Sequence, residues 1–261
     1  MKTFSKETLI KALLEIRSMG WVINSRPGNV GGVGNTLENL LGIEENNLPI
    51  PNAAEWELKC QRIDSSSLTT LFHMEPSPTA LRFVPRILLP LYGWKHKEAG
   101  NKYSPNEMSF RQTINGLNRT DRGFGISVDK INKKVLGSFD SSVIGPRHRD
   151  WQNSVKERVG LDELNPQPYW GFDDLFHKAG TKLLNCFYIR ADVEKEIHRE
   201  YFWYREIMIL ERFGLENFLK AIEEGFVLVD FDARTGHNHG TKFRLRQDRL
   251  PDLYEHVNII D

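Results

Sequence analysis

The chain has 261 residues, enough for one large domain or for two lobes that share a core. Its 39% hydrophobic and 27% charged residues are ordinary for a soluble globular protein, and no apolar run approaches the roughly 18 residues of a membrane span. The 35 basic and 35 acidic side chains cancel, which argues mildly against a nucleic-acid binder because phosphate contacts dominate that affinity.

Residues Ser5 to Met19 read as an amphipathic helix with Leu9, Ala12, Leu13 and Ile16 on one stripe. No apolar signal-peptide core precedes it. Gly31-Gly32-Val33-Gly34 is a flexible approach to a short helix, Thr36 to Leu41, with Asn35 as N-cap and Gly42 as stop. Glu38 falls in that helix's first turn, where the helix dipole alone would favour a carboxylate. A proline-bracketed turn, Asn46 to Asn52, then feeds a strand over Ala54 to Cys60.

This strand alternates. Trp56, Leu58 and Cys60 share one face; Glu55, Glu57 and Lys59 share the other. Glu-x-Lys is the pairing that metal-dependent phosphodiester hydrolysis needs: a carboxylate to hold Mg²⁺, and an ammonium one step along to position and deprotonate the attacking water. A solvated strand face accounts for the tripeptide as well, so alone it is a weak signal.

Leu68 to His73 reads as a second strand, the expected hairpin neighbour of the first. His73 at its end could reach a groove or a phosphate, or be a plain surface residue. Pro76, Pro78, Pro85 and Pro90 make the next part irregular, and Arg82, Arg86, Lys95, Lys97 and Lys102 are interleaved there with Phe83, Tyr92 and Trp94. That pattern suits a surface that touches a nucleic-acid backbone, and equally an ordinary solvated face. Gly123 to Ser141 reads as a hairpin turning near Asn132. Lys182 to Ala191 reads as a strand that the aromatic run Tyr201 to Tyr204 either continues or pairs with, as a packed core strand or a base-stacking platform. Leu215 to Glu224 reads as a helix stopped by Gly225, and Phe226 to Phe231 as a buried strand. Cys60 and Cys186 are the only cysteines, which gives no disulfide framework and suits a reducing cytoplasm.

The carboxy-terminal block is basic: Arg234, Lys242, Arg244, Arg246 and Arg249 stand against Asp248 alone. Arg234, Arg244 and Arg246 supply planar forks that suit guanine O6 and N7, and alternation places Arg244 and Arg246 on one strand face. His237 and His239, two apart, could read a base edge, touch phosphate or bind metal; zinc would need two further ligands nearby.

Several of these segments, in this order, resemble the MvaI/BcnI restriction endonucleases, relatives of the nicking enzyme MutH. They are Gly34-Asn35-Thr36-Leu37-Glu38-Asn39-Leu40-Leu41-Gly42, Glu45-Asn46-Asn47-Leu48-Pro49, Glu57-Leu58-Lys59, Ser65 to Phe72 with Glu75-Pro76, Phe231 to Gly236, and His239 to Arg244. The resemblance implies an α/β fold with a PD-(D/E)XK nuclease core, a mixed sheet flanked by helices, joined to a DNA-recognition lobe. Residues 1–140 would form mainly the catalytic lobe and 141–261 mainly the recognition lobe.

It also implies a Mg²⁺-dependent type II enzyme that cuts double-stranded DNA at a short G·C-rich, nearly palindromic site and acts as a monomer. A cognate methyltransferase would share the site without being a physical partner. Glu57 and Glu55 would hold Mg²⁺, Lys59 would assist the water, and Glu38 would be a supporting acid. His73, Arg234, His237, His239, Lys242, Arg244 and Arg246 would contact DNA. One position departs from the pattern: where the family has an aspartate as first metal ligand, this chain has Asn52. Either its role has moved to Glu55, or Asn52 ligates weakly through its carbonyl oxygen, or activity is lowered. A MutH-like nicking enzyme and a cleavage-deficient DNA-binding protein are the alternatives.

Overall fold

The structure is a computed structural model, and it describes residues 4–29, 31–43, 55–63 and 65–260. In chain order these form α1 (Lys6–Ser18), β1 (Val22–Ile23), α2 (Gly32–Leu41), β2 (Trp56–Arg62), β3 (Thr69–His73), β4 (Trp94–Lys95), β5 (Met108–Ile114), β6 (Phe124–Asp129) and β7 (Lys134–Phe139). Then come α3 (Arg149–Val159), β8 (Tyr169–Gly171), α4 (Phe172–Leu183), β9 (Asn185–Glu196), β10 (Arg199–Phe213), α5 (Leu215–Glu223), β11 (Val227–Arg234), β12 (His237–Asn238), β13 (Lys242–Leu245) and β14 (Tyr254–Ile260). None of the described helices is long and apolar enough to cross a membrane.

Two compact units share the chain. One gathers the residues up to Ser67, Ala179–Gly214 and those from Gln247 onward; the other gathers Leu68–Lys178 and Leu215–Arg246. The chain passes between them at four points, one of them inside α4, so residues 1–140 and 141–261 each contribute to both units.

The first unit is a five-stranded sheet in the order β1-β10-β9-β2, with β14 also on β10. β2 runs parallel to β9, which sets Glu57 beside Cys186 and Lys59 beside Tyr188. The other pairings are antiparallel, so the sheet is mixed. One face carries α1 and α2. Leu9, Leu13 and Ile16 of α1 and Val33, Leu37 and Leu41 of α2 bury against Trp56, Leu58, Phe187 and Ile189. α1 starts where expected, because Ser5 and Thr8 cap each other's backbone N–H groups.

α2 starts earlier than expected. Asn35 lies inside the helix and the cap is Gly31, so Glu38 sits in the middle turns rather than the first. The cause is close packing: a Cβ at Gly32 would come within 2.9 Å of the Asn24 side chain. Glycine therefore admits the first turn beneath Asn24, which is 4% exposed and hydrogen-bonds Glu200 and the Arg26 N–H. Gly42 ends the helix in the left-handed conformation at φ 70°, as expected.

The second unit holds a six-stranded sheet, β3-β13-β11-β5-β4 with β12 on β11, and a three-stranded sheet, β6-β7-β8. β3 is not the hairpin neighbour of β2. It pairs with β13, His73 opposite Lys242 and Phe72 opposite Phe243, because the Phe72 ring stacks on Phe243 at 5.0 Å and both rings pack on Phe218. The β6–β7 hairpin forms as expected, with Asp129 accepting from the Ile131 and Asn132 N–H groups at its turn.

Candidate active site and nucleic-acid interface

β2 carries the first cluster. Its apolar side enters the helix-covered core, which leaves Glu57 and Lys59 on the opposite face. Glu57 is 1% exposed, and its Oε1 accepts from Lys59 Nζ at 2.7 Å. Lys182, near the end of α4, brings its Nζ to 3.8 Å from the same oxygen. Oε2 has no hydrogen-bond partner.

A thiol and a phenol also stand beside Glu57. Burial pushes the Cys186 thiol up to about 12, against the smaller pull of the Lys59 ammonium, and raises the Tyr254 hydroxyl well above its ordinary value. Both therefore stay protonated beside Glu57 at neutral pH. Two residues beyond Lys59 the same face carries Gln61, 5% exposed, whose Oε1 accepts from the Tyr188 hydroxyl.

The other expected site residues divide. Glu55 is exposed in the turn before β2; the strand pairing begins at Trp56, so the alternation expected to align Glu55 with Glu57 does not extend to it. Glu38 is half-buried on α2, and its charge helps burial raise the Cys60 thiol, on the strand face opposite Glu57. Asn52 lies outside the described residues. Among the described residues no three His, Cys, Asp or Glu side chains gather into a metal-binding group. A hard divalent ion nonetheless fits Glu57: its second oxygen is buried without a donor, and Mg²⁺ characteristically takes one or two carboxylates, with waters and substrate phosphates completing its shell.

The second cluster is a polar sheet face. Phe226 to Phe231 is expected to be a buried strand, and Val227, Leu228, Val229, Phe231 and Ala233 of β11 are buried, while Asp230, Asp232 and Arg234 are half-buried on the side opposite Val229 and Phe231. The register places Lys242 and Thr113 opposite Asp230, Arg111 opposite Asp232, and His237 opposite Arg234. His73 stands beyond Lys242.

Opposite charges pair across this face. Arg244 lies 3.3 Å from Asp230 and also donates to the Leu68 carbonyl. Lys242 lies 3.8 Å and Arg111 3.4 Å from Asp232. Arg234 reaches Glu107 at 3.0 Å and lies over the Tyr103 ring. The arginine forks are thus held by acids rather than extended into solvent. β13 ends at Leu245, so Arg246, which is exposed, does not share a strand face with Arg244. His237 and His239 are exposed, their rings 4.3 Å apart and nearly perpendicular. Among the described residues no third His, Cys, Asp or Glu side chain joins them in a metal-holding group.

Sequence reasoning missed Lys182, because a strand was expected where α4 ends. It also missed Asp230 and Asp232, whose two-residue spacing was the available signal.

The sequence profile of the MvaI/BcnI restriction endonuclease family matches residues 10–254. Among solved structures, the chain is similar to restriction endonuclease MvaI in complex with its cognate DNA substrate, at 24% identity and a TM-score of 0.76, over 99% of this chain and 100% of that one. It is also similar to MvaI in the absence of DNA, at 25% identity and a TM-score of 0.59, with each chain covered completely. No curated protein matches. The fold is thus the PD-(D/E)XK type that the resemblance implied, and the chain belongs to the MvaI/BcnI restriction endonuclease family, as a type II, site-specific deoxyribonuclease.

Proposed function

We propose that this enzyme acts as a monomer and hydrolyses double-stranded DNA with Mg²⁺ at a short, G·C-rich, nearly palindromic site. The observation that carries this reading is the Glu57–Lys59 pair on one strand face, with the second Glu57 oxygen unpartnered. Glu57 would hold the metal, with Glu55 and Asn52 as the further donors the chain offers. Magnesium, when bound, supplies Lewis-acid stabilisation of the charge that builds on the scissile phosphate.

The protein's own groups do the rest. The Lys59 ammonium, fixed by Glu57, positions the attacking water in line with the leaving oxygen and stabilises the hydroxide that forms as the water's proton passes to solvent. Inline attack leaves a 5′-phosphate. Neutral Cys186 and Tyr254 add no charge of their own beside Glu57, and Glu38 supports the strand from the α2 side.

In this reading the unit that carries β2 cuts and the unit that carries β11 reads. Arg234, Arg244, Lys242, His73, His237 and His239 are the reading groups of the sheet face, and exposed Arg246 grips the phosphate backbone beside them. Guanine offers two acceptors and cytosine one donor in the major groove. Interleaved arginines and aspartates match that combination, which supports a G·C-rich site.

The test is incubation of the purified protein with supercoiled plasmid and Mg²⁺, followed by sequencing of the ends. The expected product is linear DNA with 5′-phosphates at one short sequence. Nicked circles after exhaustive digestion would select a MutH-like enzyme instead. One observation favours a second reading, DNA binding without cleavage: among the described residues no group of three or more His, Cys, Asp or Glu side chains gathers at Glu57 to hold a metal. Specific binding with no Mg²⁺-dependent cutting would establish that reading.

A further inference from the structure

The mechanism above leaves Lys182 unused. A cation in the last turn of α4 has a plain explanation in the helix dipole. The dipole does not explain why the ammonium is turned toward Glu57, which already has Lys59 at hydrogen-bond distance. Two ammoniums thus stand at one nearly buried carboxylate oxygen. Such an arrangement repels a divalent cation and attracts a phosphate.

The two contacts differ in kind. The Lys59 contact, at 2.7 Å, is a hydrogen bond, and its side chain is 15% exposed. The Lys182 contact, at 3.8 Å, is too long for one, and its side chain is 29% exposed. Lys182 is therefore the more readily displaced, and its flexible four-carbon stem lets the ammonium swing away.

We propose that Lys182 orders the binding events at this site: without DNA it shields Glu57 and keeps divalent-ion affinity low, and a DNA phosphate draws its ammonium away so that the metal enters second. Metal then loads chiefly on the DNA complex, where it is needed. The proposal rests on the reading of Glu57 as the metal-holding carboxylate and adds to it the order of loading.

The experiment uses the full-length chain and two readouts that need no cleavage. Mn²⁺ binding to the DNA-free protein is followed through the spectrum of the free ion, and duplex binding without divalent ions is measured over a range of salt concentrations. Lys182→Met keeps the stem and drops the charge. It is expected to tighten Mn²⁺ binding by on the order of tenfold, and to lower the salt slope of duplex binding by about 0.9, the share of one phosphate contact. Lys182→Gln should do the same, whereas Lys182→Arg should leave both readouts near the parent's. Unchanged Mn²⁺ affinity in both uncharged variants, or an unchanged salt slope, overturns the proposal. Glu57→Gln separates the two failures. If it binds Mn²⁺ as the parent does, the assignment of Glu57 is wrong; if it loses Mn²⁺ while the uncharged Lys182 variants behave as the parent, only the ordering role is.

Discussion

Truncating Lys59 tests the site and its energetics together. Glu57 has a side chain 2% exposed and Lys59 one 15% exposed, joined at 2.7 Å. Removing one member of a buried pair costs about 3–5 kcal/mol, because the remaining charge is stranded away from water. In Lys59→Ala the stranded group is the carboxylate, which keeps only Lys182 at 3.8 Å. The expected loss is therefore about 2–4 kcal/mol, or on the order of 10 °C in melting temperature for a chain of this size.

Glu57→Gln should behave differently. Its amide oxygen still accepts from Lys59, and the partly exposed ammonium can turn toward solvent, so the loss should stay below about 2 kcal/mol. Urea unfolding of the two variants beside the parent measures the difference. Plasmid digestion of the same samples should show both cutting at least about a hundredfold more slowly, with duplex binding by Lys59→Ala largely retained. If Lys59→Ala proves no less stable than Glu57→Gln, the argument about the buried pair is wrong. If it cuts at the parent's rate, the site has been misplaced.

Four further outcomes are expected. Gly32→Ala should destabilise by about 1–3 kcal/mol despite alanine's helix propensity, because the methyl group would meet an Asn24 side chain already tied to Glu200 and Arg26; urea unfolding checks this. Arg234→Lys keeps the charge but loses the fork, and should cost about 1–3 kcal/mol of discrimination at one base pair in a site-selection assay. Arg246→Ala should weaken all duplexes alike and lower the salt slope by about 0.9. Burial, followed by Arg122 and Arg147, holds the His148 imidazole below its ordinary value; its Nε2 lies 3.3 Å from Arg147 Nε and 3.0 Å from Asp121 Oδ2, and that carboxylate does not outweigh the other three. Its folded value lies below its unfolded one, so its contribution is complete above roughly pH 6.5 and is lost as pH falls through the folded value. His148→Gln should flatten that part of the stability profile, read by melting temperature against pH.

Local signals were legible where local chemistry decides. The amphipathic helix that opens at Ser5, the Gly42 stop, the β6–β7 hairpin and the alternation of Trp56 to Lys59 all appear as the sequence implied. Errors arose where distant residues decide. Nothing near Gly32 announces that Asn24 will sit over it, and nothing in Leu68 to His73 names Phe243 as a partner. Glu57 and Lys59 could be paired from their spacing; Lys182, 123 positions beyond Lys59 along the chain, could not. The acids that hold the arginine forks, Asp230 and Glu107, were hidden for the same reason: only the sheet register brings them near Arg244 and Arg234.

The interleaving of the two units limits how this enzyme can be rebuilt. A reading module that occupies one continuous segment can be cut out and spliced to a foreign nuclease, but here the transplant would need joins at four places, one of them through the middle of a helix. Altered target preference is therefore more accessible, in evolution or in the laboratory, through single replacements along β5, β11 and β13 than through exchange of whole segments.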